Sequence, residues 1–116
     1  MRMLPVMAIT PPPKAKVKKV DCKAVAEMKA TLTLLKIPFE SEYRFHPVRK
    51  FRFDIALVEH NLGIEYEGIL SEKSRHSTVT GYTMDTYKYN LAQIEGWKVL
   101  RYTQLNYKNF ISDIIA

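Results

Sequence analysis

Cysteine is almost missing from this 116-residue chain: there is one, Cys22. That excludes an internal disulfide framework and any zinc site built on several cysteines, and it fits a reducing compartment. Cys22 itself reads as a small residue in or near a helix. No apolar run approaches the roughly 20 residues that a membrane span needs. The opening "MRMLPVMAIT" is too short for the apolar region of a signal peptide and has no cleavage signal, so the expectation is a cytoplasmic protein without a membrane partner. No segment repeats another. No histidine pairs with the cysteine at zinc-ligand spacing.

What is present is ordinary in amount and basic in balance. Apolar residues make up 47% of the chain, and its length suits a single core. Eighteen Lys and Arg against 12 Asp and Glu give a net charge of +6. Small basic domains often bind polyanions, although ribosomal, membrane-surface and merely soluble proteins share this balance.

Residues 1–19 read as a flexible basic, proline-rich tail, with "PPP" followed by Lys14, Lys16, Lys18 and Lys19. Residues 20–116 read as one domain. From Asp21 to Lys36, Val25, Met28, Leu32 and Leu35 recur at helical spacing, with Asp21 near the N-cap and Pro38 beyond the end. "SEYRF" is a short strand. "KFRFDIALVE" alternates, with Phe51, Phe53, Ile55 and Leu57 on one face and Arg52, Asp54 and Ala56 on the other. "LGIEYEG" alternates again, with Leu62, Ile64 and Tyr66 against Gly63, Glu65 and Glu67. The turn at "EHN" makes these two strands an antiparallel hairpin.

A polar loop over 69–81 leads to a second helix, from about Tyr82 to Glu95. Its expected buried stripe is Met84, Tyr87, Leu91 and Ile94, and Gly96 ends it. "WKVLRY" is a strand with Lys98 and Arg101 outward. A short helix from Asn106 to Ile115 follows, with Phe110, Ile111, Ile114 and Ile115 as contacts. The expected class is α/β (α+β), a mixed sheet with helices on its faces.

The hairpin concentrates negative charge. Glu65 and Glu67 share one strand face. Asp54 falls opposite one or the other, depending on register, where directly opposed Cβ atoms lie about 4.5–5.5 Å apart. Three carboxylates in one patch need neutralising by a Lys or Arg, by protons, or by a divalent cation. Mg²⁺ or Mn²⁺ suits an all-oxygen set, and with a basic surround that chemistry is phosphodiester hydrolysis. The plainer account is a solvated face with the acids paired to Arg44, Lys50 or Arg52. Gly63 and Gly68 bracket the patch and leave room for close approach.

Asp54 on one strand and "IEYEG" on the next resemble the PD-(D/E)xK nuclease superfamily. The block from Glu42 to Thr103, "EYRFHPVRKFRFDIALVEHNLGIEYEG…RHS…GYTMDTYKYNLAQIEGWKVLRYT", is similar to small endonuclease-like proteins of phages and mobile elements, akin to the very-short-patch-repair branch. The resemblance implies a restriction-endonuclease-like α-β-β-β-α-β core. It implies a metal-dependent endonuclease on DNA, with RNA left open, in a bacterial or phage-infected cell. Asp54 and Glu65 become the metal-binding acids, with Glu67 as the third. Glu67 stands where the superfamily has its lysine, a departure that related branches share. Lys88, one helical face with Asp85, is the candidate for a relocated lysine. Glu42 matches an extra upstream acid. His76 matches a loop histidine that acts on the leaving group or contacts phosphate. Two strands to cut imply a homodimer. The alternative is a non-catalytic nucleic-acid-binding protein that kept the fold.

Arg44, Arg49, Lys50 and Arg52 interleave with Tyr43, Phe45, Phe51 and Phe53. Such a pattern can bind single strands, but the alternation fits core packing for the aromatics. The cations remain candidates for phosphate contact, joined by Lys73, Arg75 and Lys98. Tyr87, Tyr89 and Trp97 read as core, His46 and His60 as structural turn residues, and Gln93 as a possible neighbour of the site.

Overall fold

The structure, a computed structural model, describes residues 20–68 and 78–116. Helix α1 spans Lys23–Leu34, and Val25, Met28 and Leu32 are buried along it as their spacing predicts. Asp21 is not the N-cap. Cys22 holds that position without a side-chain cap, and Asp21 instead accepts a 2.7 Å hydrogen bond from Lys29. Leu35 is 50% exposed rather than core. The helix ends at Leu34, Lys36 turns the chain with φ 59°, and Ile37 and Phe39 pack in its place.

Four strands follow: β1 (Glu40–Arg44), β2 (Arg52–Leu57), β3 (Leu62–Tyr66) and β4 (Lys98–Tyr102), in the sheet order β1-β2-β3-β4. The first three pair antiparallel, and β4 lies parallel to β3. Parallel neighbours need a long crossover, and helix α2, Val79–Ile94, lies in that connection. The β2–β3 hairpin closes through a 3₁₀ turn at Val58–His60 and a left-handed Asn61, a residue that tolerates this backbone. A second 3₁₀ turn, Tyr107–Asn109, runs into α3, Phe110–Ile114. The class is therefore α+β, a mixed sheet flanked by helices. Among the described residues, no helix is long and apolar enough to cross a membrane.

Each sheet face has its own core. Ile55, Leu57, Leu62 and Ile64 pack on α1 and on Phe110 of α3. Phe45, Phe53, Ala56, Ala92 and Trp97 fill the other face, where α2 lies. The expected single face of Phe51, Phe53, Ile55 and Leu57 therefore breaks. Phe53 goes to one side, Ile55 and Leu57 to the other. The slip falls at Asp54. Its neighbours pair as Ser41↔Ile55 and Tyr43↔Phe53, and Glu42, between them on β1, has φ 49°. The displaced Phe53 ring stacks on Phe45 at 4.3 Å and covers Gly63. A Cβ at Gly63 would come within 2.5 Å of that ring, so glycine is required there.

The inward face of α2 also differs from the expected stripe. Met84, Tyr87 and Ile94 are 42%, 52% and 75% exposed. Gly81, Asp85 and Ala92 are buried instead, and Leu91 alone of the expected four packs at the core's edge. The spacing 81, 85, 88, 92 is as helical as the apolar one. It wins because a buried carboxylate on the sheet needs donors opposite it. At the far end of the chain, Ile115 is 70% exposed, since α3 has already ended.

Candidate functional site

The hairpin register decides which acid faces Asp54. The pairs Leu57↔Leu62, Ala56↔Gly63 and Ile55↔Ile64 continue to Asp54 opposite Glu65. Here the carboxylates themselves accept backbone donors. Asp54 N–H donates to Glu65 Oε2 at 3.1 Å, and Tyr66 N–H donates to Asp54 Oδ2 at 2.8 Å. Each acid thus fixes the other's strand.

Glu65 is 8% exposed. Lys88 Nζ donates to its Oε1 at 2.7 Å, and the Tyr89 hydroxyl approaches the same atom at 3.3 Å. Burial pushes the Glu65 carboxyl up from 4.5 to about 7; Lys88 opposes this, and the charge on Asp54 adds to it. This acid therefore titrates in the neutral range, where a change of charge has chemical use.

Glu67 has a different companion. Arg101 Nε donates to its Oε2, and the guanidinium lies over the Tyr89 ring, 4.2 Å from the centroid. The Glu67 hydrogen bond raises Arg101 further above its ordinary range. Tyr89 OH stands 3.5 Å from Glu67 Oε2, farther than from Glu65. A phenol donates one proton. Burial, and then the charges of Glu65 and Glu67, push the Tyr89 phenol well above its usual range. It stays a donor.

Glu65, Glu67, Lys88 and Tyr89 line an open cleft of about 440 Å³, together with Glu42, Lys50, Arg52 and Asp85 and with apolar surface from Phe51 and Met84. The residues singled out from sequence divide as follows. Glu42, Glu65, Glu67 and Lys88 meet in the cleft, and Asp54 is tied directly to Glu65's strand. Lys50 and Arg52 stand beside them, with Arg52 Nη1 3.9 Å from Glu42 Oε1. Arg44 turns away and donates to the carbonyls of Val48 and Arg49, both at 3.3 Å. Arg49 lies over Phe51, 4.8 Å from the ring centroid. His46 is a turn residue, its Nδ1 accepting from the Val48 and Arg49 amides at 3.1 and 3.0 Å. Lys73, Arg75 and His76 lie outside the described residues, as do the lysines of 1–19.

Sequence reasoning missed two members. Tyr89 was expected in the core but stands among the charges of the cleft, whereas Trp97 is core as expected and Tyr87 is exposed. Arg101 is exposed, as its expected outward face requires, but its pairing with Glu67 was not foreseen. The signal for Arg101 is the parallel pairing Glu65↔Arg101, which no local pattern reveals.

The donor set can be tested against a divalent cation. Among the described residues, no three His, Cys, Asp or Glu side chains gather around one point. Mg²⁺ does not need three: it commonly takes one or two carboxylates and completes its shell with water and phosphate. Glu65, which lines the open cleft, and Asp54 on the adjacent strand supply two carboxylates for that requirement. No family model, curated protein or solved structure matches the chain.

Proposed function

We propose that this chain is a Mg²⁺- or Mn²⁺-dependent endonuclease that hydrolyses phosphodiester bonds in DNA. One observation carries the reading. The nearly buried Glu65, opposite Asp54, is paired with Lys88 at 2.7 Å in an open cleft bordered by Lys50 and Arg52. Acids, a close cation and a basic border are the parts that phosphoryl chemistry uses.

Asp54 and Glu65 would hold the ion. When bound, it supplies a polarised phosphoryl oxygen and a water of lowered pKa. The chain's own groups do the rest. The backbone amides of Asp54 and Tyr66 fix the two acids in orientation. Lys88 offsets the carboxylate charge and is poised for negative charge that develops on the phosphate. Lys50 and Arg52 attract the DNA backbone. Glu42 adds a further acid at the same cleft. Glu65 holds a cation only as carboxylate, so activity gains as pH rises through about 7.

The test is cleavage of labelled duplex, branched and single-stranded DNA with Mg²⁺ or Mn²⁺, comparing wild type with Glu65→Ala. Metal-dependent cutting that is lost in the variant is the expected result. Wild-type protein that binds these substrates and cuts none with either metal would return the chain to a non-catalytic DNA-binding role.

A further inference from the structure

Resting on the nuclease reading, we propose that Arg101, beside the cleft, is a further cation that contacts a substrate phosphate, and that Glu67 and Tyr89 position it there rather than serving a metal. The parallel pairing of β3 with β4 sets Arg101 beside Glu65. Two residues on, Glu67 accepts from Arg101 Nε in the plane of the guanidinium, and Tyr89 supports its face at 4.2 Å. The cation is thus fixed from two directions. Glu67 and Tyr89 both line the cleft, so the group they hold stands at its rim.

Exposure points the same way. The Glu67 side chain is 12% exposed and Arg101 is 44% exposed. The carboxylate is covered and the cation is open. With Nε engaged, the donors on Nη1 and Nη2 remain, and the planar fork matches two phosphate oxygens. Prior ordering by Glu67 and Tyr89 reduces the entropy lost on contact. Glu67 occupies the position where the resemblance leads one to expect a lysine. The positive charge is delivered instead from the neighbouring strand, with Glu67 as its holder.

The sign of one substitution tests this. Glu67→Gln removes a negative charge from a cleft that meets DNA, and simple electrostatics then predicts tighter binding. The proposal predicts weaker binding, because the amide of Gln replaces the charge-assisted bond that holds Arg101 with a weaker neutral one. Affinity for a short labelled duplex, measured in EDTA over a range of salt, is the readout. Arg101→Gln is expected to weaken binding and to lower the slope of log affinity against log salt by about 1. In the Arg101→Gln background, Glu67→Gln is expected to tighten binding, a reversal of sign that marks direct coupling. Tyr89→Leu, which removes the ring beneath the guanidinium, is expected to weaken binding as Glu67→Gln does. Calorimetry with Mn²⁺ is expected to give Glu67→Gln an affinity within about twofold of wild type. Tighter DNA binding by Glu67→Gln alone, or an Mn²⁺ affinity reduced about tenfold as for a metal's own supporting shell, overturns the inference. If Glu67→Gln does not fold, the half-exposed Arg101→Gln gives the answer, and an unchanged salt slope overturns it. Wild type that binds DNA but does not cut it defeats the nuclease reading and leaves Arg101 as a phosphate contact. Wild type that binds no DNA defeats both.

Discussion

Lys88 on α2 meets Glu65 on β3 at 2.7 Å, with the two side chains only 16% and 10% exposed. Opposite charges so placed have left water for each other. Removing one leaves the other uncompensated, which is costlier than never having had the pair. Lys88→Met is therefore expected to destabilise the fold by about 3 kcal/mol at pH 8. At pH 5 the loss is smaller, because Glu65 can take up a proton. Urea unfolding at the two pH values measures the difference. Equal losses would place the Lys88 contribution in packing.

Glu65 makes wild-type stability depend on pH in a defined direction. Its carboxyl rises from 4.5 to about 7 on folding. The folded state therefore binds more protons than the unfolded one between those values. The contribution is full below pH 4.5 and is lost as pH climbs through about 7. The whole effect is at most about 3 kcal/mol. In Glu65→Gln the decline is expected to vanish. On the proposed metal site, Mn²⁺ is expected to restore wild-type stability at pH 8 and not that of the variant.

Gly63 has no room for a methyl group, because Phe53 already fills the space at 2.5 Å and is itself stacked on Phe45. Gly63→Ala is expected to cost about 1–3 kcal/mol by overpacking. Adding Phe53→Leu is expected to recover part of that loss. Denaturant midpoints of the single and double variants decide it. Additive losses would show that the two positions do not compete for space.

Two charged residues stand in left-handed backbone, Lys36 at φ 59° and Glu42 at φ 49°. Such positions cost about 1–3 kcal/mol, and glycine relieves the strain at a smaller entropic penalty. Lys36→Gly, at a helix end, is expected to raise the melting temperature and leave DNA cleavage unchanged. Glu42→Gly is expected to raise it too, but to lower cleavage, since Glu42 lines the cleft. Cleavage by Glu42→Gly at the wild-type rate would make the strain at Glu42 purely architectural.

The residues that sequence disclosed well are those whose partners lie close in the chain. Alternation and the short turn at Val58–His60 fix the hairpin and bring Asp54 to Glu65. The spacing of Val25, Met28 and Leu32 fixes the buried side of α1. The failures concentrate where charge overrides the apolar pattern. In α2, Met84 and Tyr87 gave way to Asp85, Lys88 and Tyr89, because that helix faces a buried carboxylate rather than oil. Phe53 and Ile55 separated because a strained Glu42 interrupts the ladder at Asp54. Arg101 stayed hidden because its neighbour is 34 residues away, across a crossover.

That crossover also sets an order of assembly. The antiparallel strands β1, β2 and β3 join through short connections and can form from nearby chain. Lys98 must return to Leu62 before β4 can pair, and closing so long a loop is slow. Until then the β3 edge is open and Glu67 has no arginine. The acidic hairpin exists before the machinery around it does. A chain still emerging from the ribosome carries Glu67 without Arg101, and that acid gains its cation only when the last strand of the sheet, β4, is in place.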